Sequence, residues 1–184
     1  PLQQPEFFAH AMKISQRVAL WAEYARRTNV RPAGTLFTLK RAPKQTWLDY
    51  FLRRNKNRVQ SRALIGQRTK SIGFSKNLSD GFYDARTVAY LALQLAHHLG
   101  FNKVFLVGVD LNQSTGRFYE TTGSVLSPCG LDKHYHTRIL PSLKLMSSKV
   151  MGDDFAVYNL SSSPRIPDKL IPRIDLPTLR TLLK

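Results

Sequence analysis

The stretch that most constrains the fold joins a long apolar helical pattern to a short apolar run that ends in an acid, residues 81–112, GFYDARTVAYLALQLAHHLGFNKVFLVGVDLN. Apolar residues recur at helical spacing from Val88 to Leu99. No Asp, Glu, Lys or Arg lies between Arg86 and Lys103. This pattern predicts a helix that is buried on most sides.

Both ends of this helix have sequence signals. Ser79 and Asp80 are residue types that cap free backbone amides, so we expect the helix to begin near them. Gly100 is the residue type that most often ends a helix. The following run, Lys103–Val109, is continuously apolar after its first residue, which is typical of an inner strand of a parallel sheet covered on both faces.

An acid comes directly after this predicted strand. Ligands of open α/β sheets bind beyond the carboxyl ends of the strands, so Asp110, with Asn112 beside it, is placed like a site residue. Asp and Asn are also ordinary turn formers, so capping of a turn or of the next helix is an equally good interpretation of Asp110.

The same order of elements returns later in the chain. Residues 131–150 read as a helix interrupted at Pro141, and residues 155–160 read as a second buried strand, followed by Ser161, Ser162 and Ser163. Helix, strand, helix and strand in this order predict a parallel α/β sheet flanked by helices, of the Rossmann-like class. A doubly wound sheet needs more strands than these, so we expect the chain to be part of a larger domain.

Positive charge is concentrated in the first part of the chain. Residues 1–79 hold 16 Lys or Arg and three acids, whereas residues 80–184 hold 12 and nine, out of a total net charge of +16. Seven bases follow one another without an acid: Arg53, Arg54, Lys56, Arg58, Arg62, Arg68 and Lys70. An anionic partner on this side is the expectation, and a merely solvated basic face is the alternative.

The first part also predicts its own elements. Apolar and basic residues alternate at helical spacing over residues 7–27, residues 35–39 form a strand candidate, and Pro43 opens an aromatic and basic helix pattern. We therefore divide the chain into a basic helical or lid segment, residues 1–72, and an α/β core with a proline-rich C-terminal tail, residues 73–184. A short helix over residues 177–183 closes the chain.

Cysteine count and hydropathy exclude several classes of protein. Cys129 is the only cysteine, so an internal disulfide is impossible and no cluster of Cys and His is available for a metal. No run of 18 apolar residues and no signal peptide are present, so we expect a protein that neither spans a membrane nor is exported.

Four segments resemble a known family: GFSKNLSDGFYDARTVAYLALQLAHHLGFNKVFLVGVDLN, GRFYE, RILPSLKLM and VYNLSSSPRIPDKLIPRI. They are similar to the lipopolysaccharide core biosynthesis family called WaaZ or RfaZ, which is associated with adding a further 3-deoxy-D-manno-octulosonic acid (Kdo) to the inner core. The resemblance runs from about Gly73 to the end. It implies a longer protein, with a glycine-bearing nucleotide-binding portion in front that this chain lacks.

A weaker resemblance extends to bacterial sialyltransferases that use CMP-sialic acid. It is carried by residues matching their Gly and Tyr pair, Leu-Gly helix end and Gly-x-Asp strand end, which are Gly81, Tyr83, Leu99, Gly100, Gly108 and Asp110. Kdo and sialic acid are both 3-deoxy-ulosonic acids activated as CMP esters. The two resemblances together imply a CMP-sugar donor, with no metal or other cofactor expected.

The resemblances also imply roles for particular residues. His134 or His136 would be the catalytic base, although two surface histidines are the alternative, and Asp110 would stand with them. Tyr119 matches a tyrosine that binds the leaving phosphate, whereas Asn112 stands where that family has another tyrosine. The expected donor-binding residues are Gly81, Tyr83, Asn112, Arg117, Tyr119, Ser161, Ser162 and Ser163, with Lys76 as a further phosphate contact.

The function predicted from the sequence is therefore transfer of Kdo, or a related acidic sugar, onto the inner core of lipopolysaccharide. The basic first part would face the anionic inner membrane from the cytoplasm. A nucleic-acid-binding module is an alternative that explains the charge but not the strand ending in Asp110, and a non-catalytic protein of envelope assembly is another. The sequence sets no oligomeric state.

Overall fold

Two short parallel strand pairs and their flanking helices form the fold in the computed structural model, which describes residues 5–44, 46, 56–61, 71–112, 130–162 and 165–183. The chain divides into two compact units, residues 1–42 and 43–184. The division predicted from charge, at residues 72 and 73, is a different one and stays a prediction. Mixed α/β architecture is confirmed, and the Rossmann-like class stays a prediction.

The first unit is a small helix and strand unit. It contains α1 (Pro5–Ile14), β1 (Arg17–Trp21), α2 (Ala22–Arg27) and β2 (Thr35–Leu39). β1 and β2 pair in parallel, with Arg17 opposite Thr35. The predicted strand at residues 35–39 is confirmed, but the single helix predicted over residues 7–27 is wrong. β1 interrupts it, because the β-branched and aromatic residues of RVALW gain a parallel partner in β2.

The second unit is built around one parallel pair. Its elements are β3 (Arg58–Gln60), β4 (Gly73–Ser75), a 3₁₀ turn (Leu78–Asp80), α3 (Val88–His98), β5 (Lys103–Leu106), α4 (Leu131–His134), a π-helix (Tyr135–Ile139), α5 (Leu140–Lys149), β6 (Ala156–Asn159) and α6 (Leu176–Leu182). β5 and β6 run parallel with Leu106 opposite Asn159, and β3 pairs antiparallel with β4.

A third segment lies along the other side of β6. The Asn159 amide donates to the Pro172 carbonyl at 2.9 Å, and the Ile174 amide donates to the Asn159 carbonyl at 2.9 Å. α6 follows, with Asp175 as its N-cap, which confirms the predicted closing helix to within one residue. Lys103 Nζ donates to the Leu182 carbonyl at 2.7 Å, so a cation of β5 meets the negative end of α6.

The core of this unit lies between α3, β4 and β6. Phe74 is fully buried and meets the rings of Tyr90, His97 and Phe155 at centroid distances of 5.8, 5.5 and 6.1 Å. Full burial of an aromatic or aliphatic side chain contributes about 1.5–3 kcal/mol. The other fully buried apolar residues around this cluster are Leu93, Ile139, Met146, Val157 and Ile171.

α3 differs from its prediction in two ways. It begins at Val88, after Thr87, whereas Ser79 and Asp80 belong to a separate 3₁₀ turn capped by Asn77, so the predicted start is wrong. Its predicted end is confirmed, since Gly100 has a φ of +83°. α3 is also not buried on most sides, because one row of its residues is exposed, and the row is Val88, Ala92, Leu95 and Leu99.

One buried amide joins α3 to two other segments. The Gln94 side chain is fully buried, and its Oε1 accepts from the Ser75 and Tyr83 amides at 3.1 and 2.9 Å. Its Nε2 donates to the Tyr83 and Tyr90 carbonyls at 2.9 and 3.1 Å. Both donors and both acceptor positions of the amide are therefore used, and the segment before α3 is held against β4.

Tyr90 adds a second buried connection from the same helix. Its hydroxyl lies 2.9 Å from the Gly73 carbonyl and 3.1 Å from the Ser142 carbonyl, and its one proton serves either acceptor. Burial, followed by the nearby Tyr83, raises the pKa of Tyr90 well above its ordinary value, so the hydroxyl stays protonated and remains a donor. α3 is thereby tied to β4 and to the beginning of α5.

The Gln94 network predicts a measurable loss of stability. Gln94→Leu keeps the volume but leaves the Ser75 amide and both backbone groups of Tyr83 without their buried partner, so we expect the free energy of unfolding to fall by about 2–4 kcal/mol. Urea unfolding of the full chain measures it. Val88→Gln, on the exposed row of the same helix, should stay within about 0.5 kcal/mol. Equal stability of the two variants would contradict the role given to Gln94.

Candidate functional site

The carboxyl ends of β5 and β6 form one edge to which several polar segments converge. α3 is joined to β5 by a short turn, and α5 is joined to β6 in the same way. Each helix therefore runs back along the strand that follows it, and it begins near the edge of the sheet where that strand ends. Contacts agree with this arrangement, because His97 near the end of α3 meets Phe155, just before β6, at 4.9 Å. The edge is the position at which open α/β sheets bind ligands.

Two polar atoms at this edge are buried without a hydrogen-bond partner among the described residues. They are Oδ1 of Asp110 and Nδ2 of Asn159, and the Asn159 side chain is completely buried. Asn159 Oδ1 accepts from the Ser161 amide at 2.9 Å, which fixes the direction of its amide group. An acceptor in the turn after β5 and a donor at the end of β6 therefore keep bonding capacity for a ligand or water.

The turn after β5 has an unusual backbone. Gly108 has a φ of +67° and Leu111 has a φ of +52°, and they flank Asp110. A left-handed conformation at a leucine costs about 1–2 kcal/mol, and such residues cluster at functional sites. The Asp110 carbonyl accepts from the Arg165 amide at 2.8 Å, so the turn after β5 is joined to the turn after β6.

The serine turn after β6 is only partly open to a ligand. Ser161 is buried, and its hydroxyl accepts from the Val109 amide at 2.9 Å while keeping its own proton for another acceptor. Ser162 is exposed, and Ser163 lies outside the described residues. Ser161 therefore joins the two strand ends as well as lining the edge.

Arg165 and Tyr135 connect this edge to the π-helix. The Arg165 guanidinium pairs with the Asp132 carboxylate and lies over the Tyr135 ring, with 4.0 Å between Cζ and the ring centroid. Tyr135 donates its hydroxyl proton to the Arg165 carbonyl at 2.5 Å. π-helical segments occur often at functional sites, and this one begins directly after His134.

The two candidate histidines have different surroundings. His136 is exposed, with its ring edge-on to Tyr135 at 5.0 Å. His134 is half-buried, and burial lowers its pKa, followed by the charges of Arg86, Lys133 and Arg138, while Asp84 opposes them. A histidine kept neutral near pH 7 is able to accept a proton, so His134 fits the role of a base better than His136.

Arg138 places the segment before α3 beside His134. Its guanidinium donates to Ser71 Oγ at 2.5 Å and to the Asp84 carbonyl at 2.8 Å. Arg86, two residues along, has a φ of +65°. The segment 84–86 is thus fixed against the π-helix, which explains why a cation of that segment acts on His134.

Gly81 and Tyr83 are buried in the core next to this segment. The Tyr83 ring packs so closely on Gly73 that a Cβ added there would lie 2.5 Å from it, and Gln60 Nε2 donates to the Tyr83 hydroxyl at 2.5 Å. These contacts make Tyr83 part of the packing, and a role for Gly81 and Tyr83 in binding a donor stays a prediction.

The remaining predicted residues divide by position. Asn112 is exposed at the end of the turn after Asp110, and Lys76 is half-buried just after β4. Arg117 and Tyr119 lie outside the described residues. No group of three or more His, Cys, Asp or Glu side chains that could hold a metal ion occurs within the described ranges. None of the described helices is long and apolar enough to cross a membrane.

Sequence reasoning missed four residues that shape the edge: Gln94, Tyr135, Asn159 and Arg165. Asn159 had a usable signal, because a polar residue near the end of an apolar run ends a buried strand at the site edge. Arg165 follows the serine turn directly and could have been included with it. Gln94 and Tyr135 had no such signal, since their contacts come from residues distant in sequence.

Comparison with known proteins identifies the family of the chain that forms this edge. A sequence profile described as 3-deoxy-D-manno-octulosonic acid transferase WaaZ matches residues 40–177, about three quarters of the chain. The chain belongs to the WaaZ family. The match includes both strand ends, the π-helix and the serine turn, and it confirms the resemblance found in the sequence.

Two curated proteins are similar to this WaaZ family chain. One, from Salmonella typhimurium (strain LT2), is named probable 3-deoxy-manno-octulosonic acid transferase and is 34% identical over 110 residues, which are 60% of this chain and 39% of that protein. Another with the same name, from Escherichia coli (strain K12), is 31% identical over 112 residues, which are 61% of this chain and 38% of that protein. The matched part of the chain thus spans about two fifths of these relatives. No solved structure matches the chain.

The setting of His134 gives a prediction that needs no substrate. We expect its pKa to lie below the ordinary value of about 6.5, and Arg86→Gln to raise it, because a neighbouring positive charge is removed. NMR titration of the imidazole protons measures both, with the resonance assigned by its loss in His134→Gln. Lys103→Gln removes the same charge at the opposite edge of the sheet and should leave the His134 pKa unchanged. A pKa that Arg86→Gln does not move would contradict the arrangement.

Proposed function

We propose that this protein is a glycosyltransferase that moves Kdo, or a related acidic sugar, from a CMP donor onto the inner core of lipopolysaccharide. The observation that carries the proposal is the family match over residues 40–177. The polar edge described above supports it, because buried bonding capacity remains at the strand ends within the matched region. We also propose that β5 and β6 belong to a Rossmann-like sheet.

The chemistry requires a base and groups that neutralise a leaving phosphate. The acceptor hydroxyl attacks the anomeric carbon of the sugar while a base takes its proton, and the bond from that carbon to the CMP phosphate breaks. We assign the base to His134, whose half-buried position beside Arg86 and Arg138 favours the neutral imidazole. Arg117, Tyr119 and Lys76 are assigned to the leaving phosphate from the sequence alone.

The donor pocket is assigned to the edge itself. Asp110 Oδ1 accepts hydrogen bonds from hydroxyl or amino groups of the nucleotide, and Asn159 Nδ2 donates to its carbonyl or phosphate oxygens. Asn112 and Ser161–Ser163 line the same edge.

Binding of CMP tests the donor assignment. We expect saturable heat when the full chain is titrated with CMP, and about tenfold weaker binding for Asp110→Asn, because the charged acceptor at the strand end is lost. Asp153→Asn, in the turn before β6 at the opposite edge, should bind like the unchanged protein. Absence of heat with millimolar CMP, or equal loss in the two variants, would contradict a CMP donor at this edge.

We further propose that the protein works at the cytoplasmic face of the inner membrane, with its basic segment toward the anionic surface. Arg53, Arg54 and Arg62 lie outside the described residues, and their part stays a prediction. Arg58 was included with them from sequence, but its side chain is only 15% exposed and lies 3.9 Å from the Asp80 carboxylate. We therefore leave Arg58 out of the docking surface.

Vesicle binding tests this docking surface. Replacing Arg53, Arg54 and Arg62 together by Gln should weaken binding to phosphatidylglycerol vesicles by about 3 kcal/mol, since each base near an anionic surface contributes about 1 kcal/mol. Co-sedimentation measures it. The matched control replaces three exposed lysines of the later part, Lys144, Lys149 and Lys169, and should change binding less. If the two triple variants bind equally, only total charge matters and the docking assignment is wrong.

A further inference from the structure

The ion pair between Arg165 and Asp132 has an unusual combination of exposure and support. The two side chains are 34% and 55% exposed, so water screens their attraction. Pairs of this kind contribute about 0–1 kcal/mol to stability. A carboxylate or phosphate of a ligand can therefore replace the Asp132 carboxylate as the partner of Arg165 at little cost in free energy.

The guanidinium, by contrast, is held by more than its ion pair. It lies over the Tyr135 ring at 4.0 Å, and Tyr135 itself is only 4% exposed. The Arg165 backbone is fixed on both sides, since its carbonyl accepts from the Tyr135 hydroxyl and its amide donates to the Asp110 carbonyl. Loss of Asp132 alone would leave the cation where it is.

The position of Arg165 relates it to the unsatisfied polar atoms of the edge. The Arg165 amide donates to the carbonyl of Asp110, and Oδ1 of Asp110 is buried without a partner among the described residues. The turn that leads to Arg165 begins at Asn159, whose buried Nδ2 also has no partner among those residues. Arg165 therefore has its cation on a turn that is bonded directly to the residue that a ligand satisfying these atoms would contact. Arginine binds such groups through two parallel hydrogen bonds.

We propose that Arg165 is an anion-binding residue of this edge, that Asp132 occupies its guanidinium when the site is free, and that an acidic group of the substrate takes the place of Asp132. The proposal rests on the proposed function, because the sugar of this family is an octulosonic acid. The group recognised is either the sugar carboxylate or the donor phosphate. Each presents two anionic oxygens that a guanidinium can bind side by side. No covalent bond changes in this exchange.

The two partners of the pair should have opposite effects on binding. Arg165→Gln removes the cation and should weaken binding of the anion about tenfold. Asp132→Asn removes the competitor and should tighten it about two- to fivefold, the range that corresponds to an exposed ion pair. A merely structural ion pair gives the same sign for both variants, because each breaks the same contact.

The experiment titrates the full chain with Kdo, which has the carboxylate, and separately with CMP, which has the phosphate. Opposite shifts for Kdo alone assign the carboxylate, opposite shifts for CMP alone assign the phosphate, and each result supports the anion subsite. Arg165→Lys, which keeps the charge without the paired donors, should fall between Arg165→Gln and the unchanged protein. Arg165→Gln should melt slightly below Asp132→Asn, since it loses the contact with the Tyr135 ring as well as the ion pair, whereas the binding shifts have opposite signs.

The first unit offers a matched control. Arg41 pairs with Glu23 at 3.0 Å and lies over the Trp21 ring at 4.3 Å, which is the same arrangement outside the second unit. Arg41→Gln and Glu23→Gln should leave both affinities unchanged. Equal effects at the two pairs, or the same sign for Arg165→Gln and Asp132→Asn, would overturn this inference alone. Failure of the unchanged protein to bind either Kdo or CMP would overturn the proposed function and this inference with it.

Discussion

The buried amide of Gln94 is the interaction on which the arrangement of the second unit depends. A polar side chain in a core costs stability unless all its bonding positions are used, and here one amide serves four backbone groups. Those groups belong to β4, to the segment before α3 and to α3 itself. Their relative positions are therefore set by directional bonds as well as by packing of Phe74 and Tyr90.

That arrangement matters because the segment before α3 leads to the polar edge. Tyr83 is fixed by Gln94, and Arg138 holds the Asp84 carbonyl, four residues before Val88, the first residue of α3. The cation of Arg86 then stands near His134, while Arg165 joins the π-helix to the turn after β5. Core and site are thus parts of one hydrogen-bonded structure, in which the base candidate and the strand ends belong to different segments held by shared contacts.

The sequence predicted those parts of the fold that local pattern decides. The end of α3 at Gly100, the presence of two parallel strands in the second unit and the closing helix follow from periodicity and from glycine or capping residues. The start of α3 and the expected covering of β5 do not follow, because α3 begins only at Val88 and β5 ends at Leu106, its one buried residue. β1 was missed because its apolar residues fit a helical spacing as well as a strand, and only pairing with β2 decides between them. Tertiary contacts of this kind have no local signal.

The candidate site divides in the same way. Asp110 and the serine turn were predicted because each follows an apolar run, and their role in binding stays a prediction. The contacts of Asn159 and Arg165 at this edge are visible only in the structure. The choice between His134 and His136 needed the π-helix, because it determines which ring is half-buried beside cations. Spacing in the sequence does not contain that information.

The exposed row on α3 has a consequence for the protein in solution. Val88, Leu95 and Leu99 are 80%, 44% and 62% exposed, and Phe101 and Val107 beyond them are 58% and 74% exposed. Contacts between such apolar surfaces are attractive at short range, while a net charge of +16 keeps copies apart at longer range. Salt shortens that repulsion to about 8 Å at physiological ionic strength but leaves the attraction in place. Colloidal stability should therefore be greatest in dilute buffer and should decline as electrolyte is added.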